Sequence, residues 1–143
     1  MLAICKARVL PLTGLTVARG EMTGLTLQSR LMLVVVLALQ KLEDKPIGAV
    51  LLCDSKVAIS AAKSKRALAP YFQNRTAEII DNLQQIKQYC EVEDIMYIKS
   101  ADNPSDISTK AGATVGELGP DSIHRSGPTF LVEEGPVACV STL

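Results

Sequence analysis

The chain has 143 residues, enough for one domain, and a hydrophobic fraction of 48% that permits a sizeable core. Aromatic residues make up 3% and Trp is absent, so that core must be aliphatic. Fifteen basic residues balance fifteen acids, and a net charge of zero argues against an overall electrostatic grip on nucleic acid or membrane.

In chain order, Leu2 to Leu12 is apolar and closes on Pro11-Leu12, which predicts a strand running into a loop. From Arg19 to Leu42, Met22, Leu25, Ser29, Met32, Val36 and Leu39 recur at helical spacing, and Pro46 bars continuation. The β-branched run Val34-Val35-Val36 lowers local helix propensity, so burial must hold this helix. Its densest apolar stretch, Leu31 to Leu39, is nine residues, about half of the ~20 that span a bilayer. A buried helix, with no membrane partner, is expected. Ile47 to Cys53 is a short continuous apolar run, suited to a strand covered on both faces. Ser55 to Lys63 reads as a short Ala-rich helix. Pro70 opens a second long helix, about Tyr71 to Tyr89, with Phe72, Ala77, Ile80, Leu83 and Ile86 on one side. Glu93 to Ile98 predicts another strand and Asn103 to Lys110 a short helix. The order is that of an α/β domain over residues 1–111. Residues 112–143, rich in Gly, Pro and Thr, read as a wrapped or flexible tail.

The four cysteines, Cys5, Cys53, Cys90 and Cys139, lie far apart and the chain has a single His, so a zinc site is not expected. With no signal peptide legible, a reducing intracellular setting, cytoplasm or nucleus, is the expectation. Three acids stand in better places for chemistry. Asp54 follows an apolar strand, where ligands gather in open α/β sheets. Its alternative is to cap the next helix. Asp106 follows Asn103-Pro104-Ser105 at a helix start, where an acid also suits the helix dipole. Glu21 falls within the expected first turn of the long helix. Together the three could meet at one divalent-metal site of the kind that hydrolyses phosphodiesters with two ions. Between Ser55 and Ala77, Lys56, Lys63, Lys65, Arg66 and Arg75 occur with no acid. That strip could follow a phosphate backbone, or it is a solvated helix face.

These segments together resemble a known family. Arg19-Gly20-Glu21-Met22, preceded by Val17-Ala18, looks like the I-P-R-x-E-L segment in the RNase H-like region of Bel/Pao-type LTR retrotransposon polyproteins. Lys6 to Leu12 is similar to the K-x-R-V-A-P-L strand before it. Asp54-Ser55 fits the D-S pair, and Phe72 to Ile79 resembles the F-x-x-N-R-x-x-E-I helix. Asn103-Pro104-Ser105-Asp106 fits N-P-A-D, and Gly127 to Leu131 looks like G-P-x-F-L. The motifs run in the family's order from about Lys6 to Leu131.

The resemblance implies an RNase H-like mixed sheet with flanking helices that lacks its first strands. It also implies hydrolysis of RNA in RNA–DNA hybrids by an intact domain. Glu21, Asp54 and Asp106 match three of four acids that would hold two Mg²⁺ ions about 4 Å apart. Lys56, Lys63, Lys65, Arg66, Arg75 and Lys110 would contact nucleic acid. Partners would be the hybrid, an upstream reverse transcriptase segment and a downstream integrase segment. The family's first Asp has no counterpart, since no acid precedes Glu21. The expectation is therefore a truncated domain, inactive as this chain, with one edge of the Ile47–Cys53 strand left unpaired. Lys110-Ala111 replaces Arg-Gly, and Lys110 offers a point charge where Arg would grip phosphate bidentately. His124 stands where the family has Trp. A competing class is a non-catalytic binding module from a domesticated or decayed retroelement. A retroelement aspartic protease is disfavoured, because Lys56 follows Asp54-Ser55 where that chemistry needs Gly.

Overall fold

The structure is a computed structural model that describes residues 13–14, 16–42, 46, 48–64, 66–109, 112–127 and 137–140. The strand expected at Leu2–Leu12 lies outside the described residues.

Helix α1 spans Val17–Leu39. Thr16 caps it, its side chain accepting from the Arg19 N–H at 3.3 Å. Of the positions chosen by helical spacing, Met22, Leu25, Ser29, Met32 and Val36 are buried. Thr23, Thr26 and Gln28 are buried as well, a polar band that an apolar count misses. With Ser29, three hydroxyls bond back to the helix itself, Thr23 to the Arg19 carbonyl at 2.8 Å. Thr26 donates to the Met22 carbonyl and Ser29 to the Thr26 carbonyl, each at 2.8 Å. By length and composition α1 is apolar enough to cross a membrane, yet 56% of its most apolar window is buried inside this fold.

Strand β1, Gly48–Cys53, follows, and its last five residues are all buried. Ala49, Leu51 and Cys53 join the main core cluster with α1 and the later helices. Val50 and Leu52, out of phase with them, are buried too, as a strand covered on both faces requires. Helix α2, Lys56–Lys63, and helix α3, Pro70–Ile86, come next. The buried face of α3 matches the expected one in part: Ile86 is in the core and Phe72 and Leu83 pack against it. Thr76, Ile79, Asn82 and Ile86 point inward, whereas Ile80 is 45% exposed and Ala77 is exposed. Polar groups join this face. Asn82 donates to Ser29 Oγ at 3.0 Å and Thr76 to the Ala61 carbonyl at 3.4 Å.

Three side-chain ties join α1 to α3. The Thr23 and Tyr71 hydroxyls lie 2.6 Å apart, Arg30 pairs with Glu78, and Asn82 reaches Ser29. Thr23 to Arg30 and Tyr71 to Glu78 are both steps of seven residues, about two turns. The helices therefore run parallel, and their N-termini share one end of the molecule.

The sheet is parallel throughout. Strands β2, Glu91–Val92, and β3, Met96–Tyr97, pair with the first and last two residues of β1. Between those pairs three residues, 93–95, stand opposite two, Val50 and Leu51, so one extra residue is accommodated as in a bulge. Of the strand expected at Glu93–Ile98 only Met96–Tyr97 forms, a second piece, Glu91–Val92, precedes it, and Ile95 and Ile98 are buried beside them. Strand β4, Val137–Val140, pairs in parallel with Gly48 to Leu51. This corrects the expectation of an unpaired β1 edge: a segment read as tail supplies four consecutive ladder positions.

Ser100–Asp102 and Asp106–Thr109 form 3₁₀ turns. The helix expected from Asn103 does not form as an α-helix. Asn103 Oδ1 accepts the Ser105 N–H at 3.0 Å, and this side-chain turn competes with helical bonding. Residues 112–127 carry a further 3₁₀ turn, Gly116–Leu118, and the short helix α4, Ile123–Ser126.

Candidate functional site

The carboxyl end of β1 is linked by hydrogen bonds to the segments that carry the acids singled out in the sequence. Asp54 is the first residue after the strand. It does not cap α2: Ser55 does, with its Oγ accepting from the Ala58 N–H at 3.1 Å. That removes the capping explanation for Asp54. Ser55 Oγ also donates to Glu21 Oε2 at 2.5 Å, a short, charge-assisted bond. Glu21 is the fifth residue of α1, beyond the first turn, so the helix dipole does not account for it.

Asp54 Oδ2 accepts from Asn103 Nδ2 at 3.2 Å and, more weakly, from Ser100 Oγ at 3.4 Å. The Asn103 carbonyl in turn accepts the Asp106 N–H at 3.1 Å. Asp106 begins its 3₁₀ turn, where an acid is favoured for local reasons alone. A chain of contacts thus links Glu21, Ser55, Asp54, Asn103 and Asp106 across three segments far apart in sequence. Pro104 and Ser105 of the same loop are buried. His124 Nδ1 sits 2.8 Å from the Pro104 carbonyl, so a residue read as tail fastens this loop from behind.

Next to Asp54 lies Cys53, whose thiol burial pushes above its ordinary range. Hydrogen bonding to the Ser55 backbone opposes that shift, while the Asp54 and Glu21 charges add to it. A neutral, buried thiol is a poor nucleophile and a poor metal ligand.

One oxygen of Glu21 and one of Asp54 accept hydrogen bonds from protein donors. Among the described residues, no three His, Cys, Asp or Glu side chains are grouped so as to hold a metal ion. Mg²⁺ demands near-octahedral oxygen ligation, and a two-ion site is built from several shared carboxylate oxygens.

The basic residues divide. Lys63 pairs with Asp94 at 2.7 Å, and Lys56 lies 5.0 Å from the centre of the Tyr97 ring. Arg66 is exposed and ties only through its backbone N–H, to Ser64 Oγ at 3.1 Å. Arg75 shares Glu78 with Arg30 and lies over Tyr71. Lys65 and Lys110 lie outside the described residues. The strip is therefore not a continuous row of free cations; at least two of its members are engaged within the fold. Sequence reasoning passed over Ser55 and Asn103, the donors that hold Glu21 and Asp54. Both flank the acids chosen, and small polar residues beside a strand-end acid were the available signal.

No protein-family model matches the chain, and no curated protein and no solved structure matches it.

Proposed function

We propose that the chain is an RNase H-like module of the Bel/Pao retroelement type that does not itself cleave nucleic acid. The observation that carries this reading is the linked set Glu21–Ser55–Asp54–Asn103–Asp106 at the carboxyl end of a central parallel strand. A strand-end Asp, a Glu past the first turn of a helix and a loop Asp are linked where an α/β sheet places its ligands. Two of the three carboxylates are nevertheless committed to neighbouring donors. Hydrogen bonds to charged groups contribute about 1.5–3 kcal/mol each, so a metal ion would have to offset their loss before it gained a ligand. The acids here act as a clasp that fastens the 100–106 loop and the start of α2 to α1. An RNA–DNA hybrid is the partner this reading implies.

The test is incubation of the purified chain with a labelled RNA–DNA hybrid in Mg²⁺ or Mn²⁺. No cleavage above the protein-free control is expected. Specific scission of the RNA strand, lost in Asp54→Asn, would overturn the non-cleaving reading.

A further inference from the structure

Between α1 and α3, two arginines share one carboxylate. Glu78 takes Arg30 and, at 3.4 Å, Arg75. Arg19 has no carboxylate within ion-pair distance among the described residues. Its guanidinium instead lies 5.2 Å from the centre of the Tyr71 ring, and that of Arg75 lies 5.6 Å from the same centre. Two cations are thus held on one ring, with a single shared anion near one of them.

Tyr71 is well fixed for this task. Its hydroxyl lies 3.1 Å from the Arg19 carbonyl and 2.6 Å from Thr23 Oγ1. Thr23 Oγ1 is itself 2.8 Å from that carbonyl. Three oxygens share two protons, so two hydrogen bonds form among them in either orientation. Phe72 packs edge-on against the Tyr71 ring at 5.6 Å. The ring therefore cannot turn away, and the guanidinium of Arg19 is held over it with no carboxylate partner among the described residues. Stacking on an aromatic leaves a guanidinium's in-plane N–H groups open, and those match phosphate oxygens in a fork.

We infer that Arg19 and Arg75, held on Tyr71, form a grip for the phosphodiester backbone of nucleic acid. The inference rests on the nucleic-acid partner proposed above and names residues that bind it. Two guanidinium groups lie over the ring, and the phosphate is the part of nucleic acid that their N–H forks match, so contact is with the backbone and recognition is independent of sequence. An acidic protein is the competing occupant. Phosphate is favoured because a fork held on a rigid ring suits a regular row of doubly oxygenated anions better than flexible carboxylates.

The experiment is fluorescence anisotropy of a labelled RNA–DNA hybrid with the full chain, repeated across salt concentrations. Arg19→Ala and Arg75→Gln are compared with Lys87→Ala, at an exposed position past α3. Cooperative unfolding of each variant is checked, and Arg19→Lys keeps the charge while losing the planar stack. Arg19→Ala is expected to weaken binding roughly tenfold. It should also make the slope of log affinity against log salt shallower by about 1. Arg19→Lys should fall between, and Lys87→Ala should change neither quantity. Equal affinities and slopes for Arg19→Ala, Arg75→Gln and Lys87→Ala would overturn the grip. So would absence of hybrid binding by the parent chain, or equal binding of poly-glutamate. The cleavage assay reads a different property. Asp54-dependent scission would end the non-cleaving reading and leave the grip standing, and an unchanged salt slope would do the reverse.

Discussion

The two edges of β1 are closed by segments of opposite character. One edge meets residues 91–97, the return of a crossover that begins at the end of β1 itself. That pairing is interrupted, with two partners, a three-residue detour and two more. The other edge meets β4 in four unbroken positions, from a segment more than eighty residues downstream in the sequence. The local partner is irregular and the distant one regular. Helices α2 and α3 constrain where the chain can re-enter the sheet after β1, and a bulge absorbs the mismatch. Val137–Val140 meets no such constraint from a short connection and can adopt the register that the strand offers. The comparison also separates what holds the sheet from what finishes it. β1 is the hub that all three strands share, and each neighbour covers only part of it.

Breaking the hub should cost most. Leu51 is 1% exposed and belongs to the central cluster, so Leu51→Ala should lower stability by about 2–5 kcal/mol in denaturant unfolding. Met96, 44% exposed on the irregular edge, should tolerate Ala within about 0.5 kcal/mol. Equal losses at the two positions would erase the distinction between hub and edge.

Removing the regular edge should have the next largest effect. Deletion of residues 137–143 should cost on the order of 2 kcal/mol from lost ladder bonds. It should also shift the chain toward oligomers in light scattering, because a bared apolar edge templates pairing between molecules. An unchanged monomer with an unchanged unfolding midpoint would mean that β4 contributes nothing to closing β1.

A smaller change sharpens the account of the strand's carboxyl end. Ser55 both caps α2 and donates to Glu21, so Ser55→Ala should cost about 1–2 kcal/mol. Ser55→Thr keeps the hydroxyl and should recover most of that loss.

The smallest effect expected is on acid stability, and it tests the α1–α3 seam. The Arg30 hydrogen bond, with further help from the Arg30 and Arg75 charges, holds Glu78 below its ordinary value of 4.5. A depressed carboxylate stabilises the fold above its unfolded value. That contribution fades as pH falls below about 4.5 and through the lower folded value. Both partners are partly exposed, so solvent screening keeps the effect small. Glu78→Gln should flatten the pH dependence of the unfolding midpoint below 4.5, and salt should blunt it in the parent chain.

Much of this layout was legible in the residues. The periodicity of Met22, Leu25, Ser29, Met32 and Val36 marked the inner face of α1. The unbroken run ending at Cys53 marked the doubly covered β1, and Pro70 marked the start of α3. Where reading failed, polar atoms or distant pairing decided the outcome. Thr76 and Asn82 joined Ile86 on the buried side of α3 where Ala77 and Ile80 were expected, since buried hydrogen bonds do not show in a hydropathy pattern. Asn103 replaced an α-helix by a side-chain turn. Val137-Ala138-Cys139-Val140 is apolar but only four residues long, and nothing in so short a run names its partner strand 85–90 positions upstream. At the site, the order of Glu21, Asp54 and Asp106 was visible. The engagement of Glu21 by Ser55 and of Asp54 by Asn103 was not, because spacing locates carboxylates without saying which donors face them.

The central claim is that these acids fasten the fold and do not await metal. Its most direct measurement is a Mn²⁺ titration of the isotopically labelled chain followed by amide resonances. With Glu21 and Asp54 committed to Ser55 and Asn103, no saturable site is expected at millimolar Mn²⁺, and broadening should be weak and spread over exposed acids. Saturable broadening confined to residues near Glu21, Asp54 and Asp106, abolished by Asp54→Asn, would contradict the account.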